Sequence, residues 1–274
     1  MKGALGLAAF SLALLVAVPC FAADAEQPAE VIREALAAVE RGAFDNAVDE
    51  LELLADRGFV HPDASRARAY VYVQRARSRA RRPGDLGRAV AALEEVELLD
   101  PKAELQPKIE TLKAEISRQR AREGSAPVLQ RPTLGRAVTS LLPENAWALL
   151  SVLGATLLTA GLASYLFVKR RSAEIAGATA IVVGVVLGGL GTCLTLGARH
   201  YRKTSRAAVV VVAEARLLDA EGHALPSSAK MPAAIPEGSF VYVREQGDRY
   251  ARVEWGAVDG CVDPSQLQLL AQVP

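Results

Sequence analysis

AWALLSVLGATLLTAGLASYLFV (146–168), KRRS (169–172) and AEIAGATAIVVGVVLGGLGTCLTL (173–196) follow one another in the second half of this chain. Each apolar run is about 22 residues, and at the ~1.5 Å rise of a helix it reaches roughly 33 Å, enough to cross a hydrocarbon core of about 30 Å. A buried core helix rarely needs that length. The pattern predicts two transmembrane helices, 146–168 and 173–197, with Lys169, Arg170, Arg171 and Ser172 as the turn between them. Gly177, Gly184, Gly188 and Gly191 recur at offsets of seven, four and three, which keeps them on roughly one face of the second span. Small residues there permit close contact, either with the first span, whose Gly154 and Gly161 also lie seven apart, or with another copy of the span. No ionisable residue stands near the centre of either run, which argues against transport of ions or protons.

A chain of 274 residues allows one to three domains, and its 51% hydrophobic content is inflated by the spans. A net charge of +1 argues against a general nucleic-acid binder. At the N-terminus Lys2, an apolar run over 4–18 and the small residues around Cys20-Phe21-Ala22 and Ala23-Asp24-Ala25 predict a secretory signal peptide over 1–25. A lipoprotein signal would need a small residue where Pro19 stands, and an uncleaved signal anchor is the other alternative. After cleavage Cys193, inside the second span, and Cys261, near the C-terminus, cannot meet in one monomer. With no C-x-x-C, no Cys/His cluster, and His61, His200 and His223 in three different regions, neither a metal nor a cofactor is expected.

Residues 42–51 and 84–93 align. Gly42, Phe44, Ala47-Val48 and Leu51 match Gly84, Leu86, Ala89-Val90 and Leu93, and the register carries on to a stop at Asp100-Pro101. Such a unit is a helix hairpin in which Gly permits the turn and Ala47 or Ala89 lets two helices approach closely. It resembles the second half of a tetratricopeptide repeat. The preceding helices are expected over 29–41 and 65–79, and a further helix over 105–122 caps an all-α repeat domain spanning 26–123. By helical phase Arg33, Ala37, Arg68 and Tyr72 are the candidate peptide contacts, since such arrays bind through the first helix of each hairpin. The arginines crowding 66–88 lie close to Glu94, Glu95 and Glu97 with no interleaved aromatics, and read as a solvated face rather than a nucleic-acid site.

Gly124-Ser125-Ala126-Pro127 and Pro132 mark a linker, and Leu134, Ala137, Val138, Leu141 and Leu142 an interfacial helix, within 124–145. From Ala208 the period changes to short strand-like runs at 209–212, 240–244, 250–254 and 259–262, separated by Gly turns, which predicts a small all-β barrel over 207–272. Ile235-Pro236-Glu237-Gly238, Val241-Tyr242-Val243, Tyr250-Ala251-Arg252-Val253 and Asp259-Gly260-Cys261-Val262 resemble, in that order, the turns and strands of a bacterial SH3 domain. Cys261 stands where those domains usually have Trp. Tyr242, Tyr250 and Trp255 are the candidate groove residues of this module, for a peptide or for peptidoglycan.

The order of parts, a signal, tetratricopeptide-like repeats, a transmembrane helical hairpin and an SH3-like tail, together with Gly84-Asp85-Leu86-Gly87-Arg88-Ala89, resembles the BatE family of the Bacteroides aerotolerance (Bat) operons. That resemblance implies a multi-domain membrane protein working beside von Willebrand factor A domain proteins, a BatD-like protein and, indirectly, a MoxR-type ATPase, in envelope stress or aerotolerance. The expectation is a non-enzymatic scaffold in the inner membrane. The signal, the cationic turn as the cytoplasmic loop and the parity of two spans place repeats and tail in the periplasm. The alternative is a cell-wall anchor that binds peptidoglycan through its tail.

Overall fold

The computed structural model describes residues 23–122, 133–167, 171–219, 221–226, 233–247 and 249–271. The expected signal and linker lie outside these residues except at their edges: Ala23, Asp24 and Ala25 open the first helix, and the turn between the spans is described only at Arg171 and Ser172. Five helices come first: α1 (Ala23–Glu40), α2 (Phe44–Asp56), α3 (Pro62–Arg77), α4 (Asp85–Leu99) and α5 (Gln106–Arg122). They pack in succession, α1 on α2, α3 on α4, and α5 on α4. Gly84 sits at φ +87° as the residue before α4, a left-handed turn open to glycine without a Cβ penalty. The apolar stripes meet in one core, with Ala35, Ala47, Leu51, Val71, Ala89, Val90, Val96 and Ile109 essentially inaccessible.

A short helix, α6 (Leu134–Thr139), leads to α7 (Glu144–Phe167) and α8 (Arg171–Thr204). Both α7 and α8 are long and apolar enough to cross a membrane, and large side chains such as Leu149, Leu166 and Val182 point outward from the pair. The second helix outruns its expected end at 197 by a further turn or two, because Gly197 through Thr204 keep helical spacing with cations on the final turn. Only Ser205 separates it from the first strand.

The strands are β1 (Arg206–Val210), β2 (Glu214–Arg216), β3 (Ala234–Pro236), β4 (Phe240–Gln246), β5 (Ala251–Trp255), β6 (Val258–Val262) and β7 (Leu267–Leu269). Five form a small antiparallel sheet in the order β6-β5-β4-β1-β7, and β2 pairs with β3. Alternation along β1 feeds two cores. Ala208 and Val210 face the strand core around Ile235, Val241, Val253 and Trp255, whereas Val209 turns into the helical core, where Leu270 joins it.

Helices and strands therefore share buried surface. A Cβ on Gly84 would strike the carbonyl of Val211, and one on Gly87 would stand 2.8 Å from the carbonyl oxygen of Val210. The amide of Gly87 donates to Glu237 Oε1 at 2.7 Å, Arg120 reaches the carbonyl of Ala213 at 3.1 Å, and the amide of Ala271 donates to Glu95 Oε1 at 3.3 Å. The start of α4 is thus the seam between the two layers.

Candidate protein-binding groove

Arginine side chains set which face of the helical layer is free. Arg75 is buried against Asp85, with Nη2 at 2.6 Å from Oδ1, and its Nη1 also reaches Asp45 at 2.9 Å. Although burial alone would lower the Arg75 guanidinium, its hydrogen bonds and ion pairs with Asp85 and Asp45 raise it above its ordinary value. Arg68 is buried on Glu95, which also accepts from Ser65 at 2.6 Å. The Tyr72 hydroxyl donates to Glu52 at 2.8 Å, and burial pushes that phenol above its usual range. Arg77 pairs with Glu115 and Arg82 with Asp45. Arg66, Arg77, Arg79, Arg81 and Arg82 are exposed, as a solvated face requires, whereas Arg68 and Arg75 are buried and staple α3 to its neighbours.

Arg68 and Tyr72 are thereby withdrawn from any partner. The open face of α3 lies two residues away, about 200° round a helix of ~3.6 residues per turn, and carries Arg66, Tyr70, Val73 and Arg77. Between α3 and α5 these residues and Leu93, Leu105, Lys108 and Leu112 enclose a hollow of about 410 Å³. A neighbouring hollow of about 510 Å³ lies between α1 and α3 against Ile32, Leu36 and Glu40. Arg66 and Tyr70 line both, so the two hollows adjoin along α3 and together form a grooved face across α1, α3 and α5. Tyr70 stands half exposed at its middle, 49% accessible. On α1, Arg33 is exposed and Ala37 half-buried, and the residues that line the groove are Ile32, Leu36 and Glu40.

The signature residues sit in the cores and turns. Gly42 and Gly84 have positive φ, Ala47, Leu51, Leu86, Ala89 and Leu93 are buried, and Pro101 opens a short turn of 3-10 helix after α4. Between α7 and α8, a Cβ on Gly184 would lie 2.6 Å from the amide of Leu158, one on Gly191 2.6 Å from that of Ser151, and one on Gly177 2.9 Å from the carbonyl of Gly161. Gly188 lies against Gly154. All four face α7.

Tyr242, Tyr250 and Trp255 do not share a groove. Trp255 is in the strand core, and Tyr250 borders a separate hollow with Asp219, Arg252 and Cys261. The Tyr242 ring is covered by the Arg136 guanidinium of α6, 3.5 Å from its centre, and Arg136 is also 4.5 Å from the Tyr201 ring of α8. Arg136 pairs with Glu254 at 3.0 Å, and Arg244 reaches the same carboxylate at 2.8 Å. Burial alone would raise the Glu254 carboxyl, but its two arginines hold it below its ordinary value. Burial raises the Cys261 thiol. Reading α3 from sequence missed this arrangement because its charged and apolar residues occur on both faces. No family model, curated protein or solved structure matches this chain.

Proposed function

We propose that this protein is a non-enzymatic inner-membrane scaffold that holds a segment of another protein in the groove across α1, α3 and α5. The observation that carries this reading is the pair of adjoining, largely apolar hollows that meet at Arg66 and Tyr70, with an aromatic ring half exposed between them. Tyrosine in such a place is the kind of anchor that dominates protein interfaces, offering a rigid apolar body and a polar tip. On this reading the helices are tetratricopeptide-like repeats, the strand module is SH3-like, and α7 and α8 span the membrane. Confinement in one bilayer raises the effective concentration of partners. The order of parts resembles the BatE family, which supplies the setting: periplasmic contact with von Willebrand factor A domain and BatD-like proteins in an envelope-stress assembly.

A photo-crosslinking residue in place of Tyr70 in the full chain should give one discrete protein adduct in cells, and the same residue in place of Arg118, which lies outside the groove, should give none. Val73→Asp, which sets a charge on the floor, should abolish the Tyr70 adduct while the protein level holds. Adducts at both positions, or at neither, overturn the reading. Co-sedimentation of the full chain with purified murein in the absence of a Tyr70 adduct would favour wall anchoring through the strand module.

A further inference from the structure

A second hollow, of about 980 Å³, opens at the seam between helices and strands, away from the groove. Four guanidinium groups line it: Arg81 and Arg82 from the loop before α4, Arg120 from α5 and Arg216 from β2. Two of them are held in direct ion pairs. Arg82 is paired with Asp45 at 2.7 Å and Arg120 with Glu214 at 3.0 Å. Arg81 donates to the neutral amide oxygen of Gln119 at 2.6 Å, and Arg216 makes no ion pair among the described residues. Of the other acids on the walls, Asp85 is paired with Arg75, and Glu237, which accepts from the amide of Gly87, also attracts Arg81 and Arg88, so an anion on Arg81 must compete with it.

The lining also limits what could fit. Leu86 and Ile116 are buried beneath it and no aromatic ring borders it, so little is present to hold a nucleobase or an apolar side chain. What remains are planar cationic forks on two walls, one from the helical loop and one from the strands. An exposed ion pair in so open a hollow is worth little by itself. A ligand gains only by engaging both forks, and guanidinium matches the oxygens of phosphate bidentately.

We propose that this cleft binds a small ligand with two linked phosphate groups, one held by Arg81 and the other by Arg216, which ties the helical layer to the strand module. The proposal is independent of what the groove on α1, α3 and α5 holds. The test uses the full chain in nanodiscs of neutral phosphatidylcholine, titrated with inorganic pyrophosphate at fixed ionic strength. Saturable binding and a rise in the unfolding midpoint are expected, because a ligand that binds only the folded state stabilises it. The exposed pair Arg81→Gln with Arg216→Gln should weaken binding at least about tenfold, and Arg33→Gln with Arg118→Gln, an equal loss of charge elsewhere, should not. In a second arm, discs containing cardiolipin, whose headgroup links two phosphates through glycerol, without pyrophosphate identify the source: stabilisation that the Arg81/Arg216 pair removes supports the site with a lipid headgroup as its phosphates. Equal weakening by the two double variants, or an equal response to sodium sulfate, reduces the effect to general charge and overturns the proposal. Tighter binding of hexaglutamate than of pyrophosphate overturns it in favour of an acidic peptide.

Discussion

Arg75 shows what a single residue does in this molecule. Its side chain is 3% accessible and that of Asp85 1%, so both charges are out of water, and Asp85 is the buried partner of Arg75 beside the half-exposed Asp45. Removing one partner of a buried pair typically costs ~3–5 kcal/mol, because the remaining charge stays buried and unpaired, whereas replacing both by apolar groups of similar volume is often neutral. Asp85→Ala is therefore expected to lower the stability of the helical layer by about that amount, and Arg75→Met with Asp85→Leu to recover most of it. Urea unfolding followed by far-ultraviolet circular dichroism measures both. A double variant as unstable as the single one would mean that the pair is not the cause. Similar reasoning applies to Arg68 and Tyr72, whose burial on Glu95 and Glu52 leaves their conspicuous chemistry to hold helices together rather than to meet a partner.

Elements differ in how openly the chain announces them. Helices α7 and α8 are legible because length and apolarity are signals along one dimension, and the glycine spacing told which face would pack closely. That closeness can be tested. Ser151 and Thr192 share a hydrogen bond of 2.7 Å across the two helices, so cysteines at both positions in a Cys193→Ser background should form a disulfide readily in membranes. Gly184→Leu should suppress the crosslink, since even a Cβ there would stand 2.6 Å from the amide of Leu158 and push the helices apart. Efficient crosslinking in that variant would show that the hairpin does not pack through its glycines. Strands β4, β5 and β6 were legible near their positions from their strand-forming runs and Gly turns, whereas β1, expected over 209–212, begins at Arg206 directly after α8 and ends at Val210. In contrast β2, β3 and β7 have three residues each, too few to display a period. The groove was the least legible part. On α3 the core-facing positions include Arg68 and Arg75 while Tyr70 is half exposed, so polarity does not separate the faces, and only the partners Glu95, Glu52 and Asp85, distant in sequence, decide between them.

At the scale of the whole molecule, two residues from the strand module complete the helical core. Val209 is fully buried in it and Leu270 is 2% accessible. A fragment ending near Arg122 would leave both sites empty. Leu270→Ala should cost about 2–5 kcal/mol, as expected for a buried leucine, and the loss should appear in helices far upstream. In a Trp147→Phe background, where Trp255 is the one remaining tryptophan, the protein is expected to unfold in one transition whether followed by helix content or by Trp255 fluorescence, and Leu270→Asp to separate the two probes. Coincident transitions in that variant would show that the layers are not coupled through the C-terminal strand. The same arrangement orders the birth of the protein. The five helices described over 23–122 are made before α7 and α8, and the leucine that closes their core is made roughly 150 residues after Arg122, at ~5–20 residues per second about 7 to 30 seconds later. Throughout that interval the helical layer carries an open apolar site, with β1 waiting for partners on both sides. A chain cut short by a premature stop anywhere before residue 270 keeps that site open for good, so that truncated copies are marked for proteolysis by the same surface that finished copies have sealed.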